Sequence, residues 1–121
     1  MALEIKKFEY TLHKEVVVPS DVNELLVDGE KALKAFKTFR DVAIITNKRF
    51  IIRDSQGLTG KKVEMYTIPF KSINMYSSEN SGTIDLNSEI ELWTRAGHFK
   101  LKLKKGIDIR ALDKIIAEHI L

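Results

Sequence analysis

An alternating pattern of apolar and polar residues predicts a β-hairpin in the last third of the chain. Two strands, over residues 84–93 and 98–104, flank a two-residue turn predicted at Ala96-Gly97. With the turn there, apolar residues pair on one face and acids meet bases on the other. The predicted pairs are Arg95 with His98, Thr94 with Phe99, Trp93 with Lys100, Leu92 with Leu101, Glu91 with Lys102, Ile90 with Leu103 and Glu89 with Lys104.

An amphipathic helix is predicted after Gly106, with Asp108 as its N-cap. One stripe of this helix is apolar and comprises Ile109, Leu112, Ile115, Ile116 and Ile120. Burial of one large apolar side chain is worth roughly 1.5 to 3 kcal/mol, so we expect the helix to dock on the sheet.

A period of two residues also runs through the middle of the chain. It predicts strands from Lys31 onward, over 42–46, 49–53 and 63–68, and around Ile73 and Met75. Asn47-Lys48 is a tight turn, Pro69 ends one strand, and Ser81-Gly82 ends another. In total, the pattern predicts about seven strands and one helix. The expected fold is mainly β (α+β), an antiparallel barrel or orthogonal sandwich capped by the C-terminal helix.

The first 29 residues are predicted to form an arm and a short helix that pack on the remaining domain, residues 30–121. Residues 1–18 fit a helix or a strand equally well. Asp21, which follows Pro19-Ser20, is the predicted cap of the short helix, and Asp28-Gly29 ends it.

The predicted hairpin at 42–53 is apolar on both faces, although a barrel has only one interior. Its outer face therefore needs a cover, which is either the N-terminal arm and helix or a second protein chain. If it is a second chain, the interface comprises Val42, Ile44 and Ile51, with Trp93 of the last hairpin as a further exposed anchor.

Composition narrows the class of protein. The chain has 121 residues, enough for one domain, and no cysteine, which excludes disulfides and thiolate chemistry. The charged N-terminus and the absence of a long apolar run favour a cytoplasmic protein without a transmembrane segment. The net charge of +3 reflects nearly equal numbers of basic and acidic residues, which does not suit a protein that binds nucleic acid over its whole surface. We therefore expect no nucleic-acid partner.

Few residues form a pattern that indicates a binding or catalytic site. The loop that contains Gly57 and Gly60 lies at the same predicted end as the turn at Arg40-Asp41, so a basic cluster for an anion is predicted there, formed by Lys37, Arg40, Lys61 and Lys62. The three histidines are too scattered for a metal site, and Glu89 and Glu91 are matched by lysines across the hairpin. No nucleophile motif occurs, so we predict no enzyme and no cofactor.

Several motifs in this order resemble the bacterial pleckstrin-homology-like family, formerly catalogued as a domain of unknown function. They are Gly29-Glu30, Arg40-Asp41, Thr46-Asn47-Lys48-Arg49, the segments 56–62 and 68–73, and the region from Gly82 to Leu86. The resemblance implies a seven-stranded barrel capped by a C-terminal helix. It also implies a tendency to self-assembly, and no settled ligand or activity.

The sequence thus leads to two functional hypotheses. The first is a non-enzymatic interaction module that self-associates as a homo-oligomer or binds another protein. The alternative is a module that binds an anionic ligand, such as phosphate or anionic lipid, or an acidic membrane surface, through the basic cluster.

Overall fold

Two β-sheets and one C-terminal α-helix form the protein in the computed structural model, which describes residues 7–56, 62–80 and 87–121. The strands are β1 (Lys7–Leu12), β2 (Lys14–Val16), β3 (Ala32–Lys37), β4 (Val42–Thr46), β5 (Arg49–Gln56), β6 (Lys62–Pro69), β7 (Ile73–Glu79), β8 (Ser88–Thr94) and β9 (His98–Leu103). The helix is α1 (Ile109–Ile120), and two short 3-10 helices span Ser20–Leu25 and Phe70–Ser72.

The two sheets have the strand orders β1-β9-β8-β7 and β2-β3-β4-β5-β6, which we call the first and the second sheet. Neighbouring strands are antiparallel except β1 and β9, which are parallel. The predicted mainly β fold with a C-terminal helix is confirmed. The seven predicted strands correspond to β3 through β9, and the arm, whose conformation the sequence left open, forms β1 and β2.

A closed barrel, one of the two predicted forms, does not occur among the described strands. The edge strands β1 and β6 meet through aromatic rings and share no backbone ladder. Tyr66 of β6 contacts Phe8 and Tyr10 of β1, with ring centroids 5.8 and 6.2 Å apart. Among the described residues, these two edges are thus joined through side chains and not through a backbone ladder. The architecture is therefore a two-sheet sandwich.

The last hairpin has the predicted faces but a different register. Thr94 and Gly97 are bonded to each other through their backbones, so Arg95-Ala96 and not Ala96-Gly97 is the central pair of the turn. The Thr94 hydroxyl accepts hydrogen bonds from the amides of Ala96 and Gly97, and Gly97 adopts a φ of 154°. Because the turn lies one residue earlier, each residue of β8 pairs with a residue of β9 two positions before the predicted one. A shift of two residues keeps each side chain on its face of the sheet. The observed pairs are Trp93 with His98, Leu92 with Phe99, Glu91 with Lys100, Ile90 with Leu101 and Glu89 with Lys102.

The predicted short N-terminal helix is only the 3-10 helix Ser20–Leu25. Pro19 occupies its N-cap position without a side-chain cap, which corrects the prediction for Asp21. The Asp21 carboxylate instead accepts a hydrogen bond from Arg53 at 2.8 Å. The prediction for α1 is confirmed, because Asp108 Oδ1 accepts from the amide of Ala111 at 3.1 Å.

The main core lies between the two sheets and α1. Leu92, Leu101 and Ile116 are buried in it, with 0 to 1% of their surface exposed. A second, smaller cluster lies on the outer face of the second sheet and includes Val22, Ala35, Val42, Ile44 and Ile51. The hairpin of β4 and β5 contributes to both clusters, which explains its two apolar faces.

Candidate functional site

Residues of the same chain cover the outer face of the β4–β5 hairpin. Val42, Ile44 and Ile51 are 4, 0 and 1% exposed, and Val22 of the Ser20–Leu25 helix is fully buried against them. Because these three residues expose at most 4% of their surface, they offer a second chain almost no area to contact. The alternative cover, the N-terminal segment, occupies the face.

A buried ion pair anchors the end of this N-terminal segment. Arg49 donates from Nε to Glu30 Oε2 at 2.8 Å and from Nη2 to Glu30 Oε1 at 3.0 Å. Thr46 donates a further hydrogen bond to Glu30, and Arg49 Nη2 also reaches the carbonyl of Leu25. The Arg49 guanidinium lowers the pKa of the Glu30 carboxyl to about 2, against its ordinary value of 4.5, with smaller contributions from the Thr46 and Val27 hydrogen bonds, although burial opposes the shift.

A second anchor lies at the other end of β4 and β5. Arg53 donates from Nε to both carboxylate oxygens of Asp41 at 3.1 Å, and from Nη1 to Asp21. Ser55 donates to the same Asp41 carboxylate at 2.7 Å. The backbone amide of Asp41 bonds the Thr38 hydroxyl, so this network also fixes the β3–β4 turn (residues 38–41).

The β3–β4 turn exposes an aromatic ring between cations. Phe39 is 86% exposed, and the neighbouring Lys37 and Arg40 are exposed as well. Lys37 lies opposite Lys14 of β2, which adds a further exposed cation at this edge. The salt bridges between described residues include none of these three cations, whereas Arg53 is neutralised by Asp21 and Asp41. The sequence interpretation did not include Phe39 among the candidate site residues; the signal was its place directly before Arg40-Asp41.

A cavity of about 470 Å³ opens beside this turn, between β1, β5 and the turn itself. Its charged lining residues are Glu9, Arg40, Arg53, Asp54 and Lys104. Tyr10 also lines the cavity, and burial, followed by the nearby Tyr66, Asp54 and Glu64, raises the pKa of its hydroxyl to about 12. The Tyr10 hydroxyl is therefore neutral at physiological pH, and the cavity carries mixed charge.

The predicted basic cluster is spread out along this end of the second sheet. Lys37 and Arg40 are close in the chain, whereas Lys62 is exposed on β6, with β4 and β5 between it and β3. Three strand spacings correspond to about 14 Å. Lys61, with the loop of Gly57 and Gly60, lies outside the described residues, as does the predicted strand break at Ser81-Gly82.

Trp93 lies half-buried on the outer face of the last hairpin. It stacks on His98, with ring centroids 4.8 Å apart and planes inclined by 16°. Nearby, Lys100 lies 3.3 Å from Glu89 and 4.0 Å from Glu91, and Lys102 contacts Glu9 of β1 at 2.7 Å. The acids are thus matched by bases, though by different lysines than the predicted register gives.

Within the described ranges, no group of three or more histidine, cysteine, aspartate or glutamate side chains is arranged to hold a metal ion. In that same part of the chain, no helix is long and apolar enough to span a membrane.

Comparison with known proteins identifies the family to which this fold belongs. A family model described as bacterial PH domain matches residues 6–120. The chain belongs to the bacterial PH-domain family. The uncharacterized protein YjqA of Bacillus subtilis (strain 168) is 39% identical to this bacterial PH domain over 103 residues, which are 83% of this chain and 82% of YjqA.

Solved structures agree with this assignment. A DUF1696-family protein with a pleckstrin-homology domain from Shewanella loihica PV-4 is 34% identical, with a TM-score of 0.79, and the match covers 89% of this chain and 97% of that one. A pleckstrin-homology domain from Shewanella amazonensis SB2B is 36% identical, with a TM-score of 0.65 and 84% of each chain covered. The resemblance drawn from the sequence motifs is thereby confirmed.

Proposed function

We propose that this bacterial PH domain is a non-enzymatic module that docks on an acidic membrane surface through its β3–β4 turn. The observation that carries the proposal is Phe39, which is 86% exposed at the tip of a turn between Lys37 and Arg40, two cations that form no salt bridge with the described residues. An exposed aromatic side chain beside basic residues suits the boundary between lipid headgroups and acyl chains.

The turn is held rigidly, which lowers the entropic cost of docking. Asp41 is fixed by Arg53 and Ser55, and the Thr38 amide donates to the Asp41 carbonyl at 3.1 Å. The backbone that carries Phe39 and Arg40 is therefore fixed before any surface is met.

The spacing of the cations favours an extended anionic surface over a single phosphate. Lys37 and Lys62 lie on strands about 14 Å apart and point to opposite faces of the sheet, so their ammonium groups do not converge on one phosphate. A planar membrane can contact Lys14, Lys37 and Arg40 together, with roughly 1 kcal/mol from each basic residue near an anionic surface.

Vesicle sedimentation tests this proposal. The protein should bind phosphatidylcholine vesicles that contain about one third phosphatidylglycerol, bind neutral vesicles weakly, and lose binding as salt increases. Removal of two cations should weaken binding roughly 30-fold, at about 1 kcal/mol each, so Lys37→Gln/Arg40→Gln is the test variant. The matched control is Arg110→Gln/Lys114→Gln on exposed positions of α1.

Phe39→Ser tests the apolar contribution, with Val17→Ser as its control, because Val17 is 91% exposed but lies outside the β3–β4 turn. Phe39→Ser should weaken binding to anionic vesicles, and Val17→Ser should not. Equal and negligible binding to neutral and anionic vesicles would reject the proposal.

Self-association is the second candidate function, favoured by a different observation. Val63 and Met65 on β6 are 48 and 47% exposed and lie beside Ser55 and Arg53 of β5, on the outer face of the second sheet. They continue the apolar face that the N-terminal segment covers, but this segment does not bury them.

Light scattering across a concentration series tests self-association. A dimer or larger assembly should dissociate in Met65→Ser and persist in Met75→Ser, because Met75 is similarly exposed (56%) but lies on the other sheet. A monomer at every concentration would reject this candidate and leave the membrane proposal intact.

A further inference from the structure

A second cavity lies at the opposite end of β4 and β5 from the β3–β4 turn. We call it the helix-end cavity; it is bounded by the β4–β5 turn, the Phe70–Ser72 helix and the last turn of α1, and its volume is about 460 Å³. Small-molecule sites typically have volumes of about 300 to 1,000 Å³. We propose that the helix-end cavity binds a small organic anion that combines a carboxylate or phosphate with an apolar body.

The apolar part of the cavity is formed by Val27, Pro69 and Phe70. Phe70 is only 3% exposed, and its ring packs edge-on against Phe50 at a centroid distance of 5.4 Å. Val27, by contrast, is 58% exposed at the rim. The exposed side chains of Val27 and Pro69 give a ligand apolar surface to bury, beside a Phe70 ring that is held in place by packing.

Two lysines supply positive charge at the same place. Lys48 and Lys71 both line the cavity and are exposed, and the amide of Phe70 donates to the Lys48 carbonyl at 3.0 Å. This backbone bond keeps the two lysine-bearing segments together. The salt bridges between described residues involve neither ammonium group.

The other polar groups of the cavity are already occupied. Glu30 is the carboxylate among the described lining residues, and Arg49 neutralises it through two hydrogen bonds. The Asn47 side chain donates to the Gly29 carbonyl and accepts from the Lys31 amide. What remains for a ligand is therefore positive, which selects an anion.

His119 lies at the rim of the same cavity, in the last turn of α1. Its Nδ1 donates to the carbonyl of Ile115 at 2.7 Å, and its ring centroid lies 5.9 Å from that of Phe70. Lys48, Lys71 and His119 thus border one apolar pocket.

NMR titration of the full chain with phenyl phosphate tests this proposal, with inorganic phosphate and benzyl alcohol as matched probes. We expect saturable shifts of the Lys48, Phe70 and Lys71 amides and of the His119 ring. Phenyl phosphate should bind at least tenfold more tightly than either probe, because only it offers both the charge and the ring. Equal affinity for phenyl phosphate and inorganic phosphate, or shifts confined to other surfaces, would overturn the proposal.

Variants separate this cavity from the membrane-docking surface. Lys48→Gln/Lys71→Gln and Val27→Asp change exposed side chains, and each should weaken phenyl phosphate binding at least tenfold. Lys37→Gln/Arg40→Gln should leave it unchanged while it reduces vesicle binding. Amide spectra of the unliganded variants confirm folding, and unchanged phenyl phosphate binding in folded Lys48→Gln/Lys71→Gln would contradict the assignment.

Discussion

Arg49 and Glu30 form a two-pronged ion pair whose carboxylate side chain has no exposed surface. The pair links Glu30, which directly follows the N-terminal segment, to Arg49 at the start of β5. Thr46 donates a third hydrogen bond to Glu30 at 2.7 Å. Because the same guanidinium holds the Leu25 carbonyl at 2.8 Å, it fixes the position of the covering segment as well as the charge of Glu30. Bidentate geometry of this kind is specific to arginine.

Loss of the arginine should therefore be costly. Arg49→Met leaves the Glu30 carboxylate buried without a cation, and we expect the free energy of unfolding to fall by about 3 to 5 kcal/mol. Urea denaturation at pH 7 measures the change. Lys34→Met is the matched control, because Lys34 pairs with the exposed Glu15 at 3.2 Å and its loss should cost at most about 1 kcal/mol. Similar losses in both variants would contradict the role assigned to the buried pair.

The stability of the protein should also depend on pH through Glu30. Its pKa is about 2 in the folded state, below its ordinary value of 4.5, so the folded state favours the ionised carboxylate. The stabilisation is complete above pH 4.5 and is lost as the pH falls from 4.5 towards 2; a difference of this size corresponds to roughly 3 kcal/mol. Urea denaturation between pH 7 and pH 3 should show a steeper loss in the wild type than in Glu30→Gln. Identical pH profiles would argue against this assignment.

A third prediction concerns the outer face of the second sheet, which the N-terminal segment covers. Ile44 is fully buried there, and Ile44→Ala should destabilise the protein by about 2 to 5 kcal/mol, as in other cores. Val17→Ala, at a side chain that is 91% exposed, should change stability by no more than about 0.5 kcal/mol. Thermal and urea unfolding of the two variants measure the difference. A small effect of Ile44→Ala would mean that the N-terminal segment does not pack on this face in solution.

Alternation along the chain was sufficient to predict the central and C-terminal strands, because successive side chains of a strand point to opposite faces. Leu92 and Leu101 are buried as the pattern requires. The partner of each residue was not predictable in the same way. The Thr94 hydroxyl and Gly97 set the turn one residue earlier, and a two-residue change of partner leaves the facial pattern unaltered.

The candidate site was predicted in part. The turn at Arg40-Asp41 and the start of β6 at Lys62 lie at one end of the second sheet, since antiparallel neighbours alternate in direction, and the basic cluster expected there stays a prediction. The sequence interpretation missed that Phe39 would leave the core, although this residue directly precedes the turn at Arg40-Asp41. The exposure of this ring follows from its position in a turn that Arg53 fixes from another strand.

By itself, the sequence determined a mainly β chain with a capped C-terminal helix and a hairpin that must be covered on both faces, since local periodicity and capping act within a few residues. Only the tertiary structure decided what covers the hairpin. The answer depends on contacts between Asp21 and Arg53 and between Glu30 and Arg49, which are 32 and 19 residues apart in the chain. Such pairings are selected by the packing and charge balance of the whole fold, which no local pattern encodes.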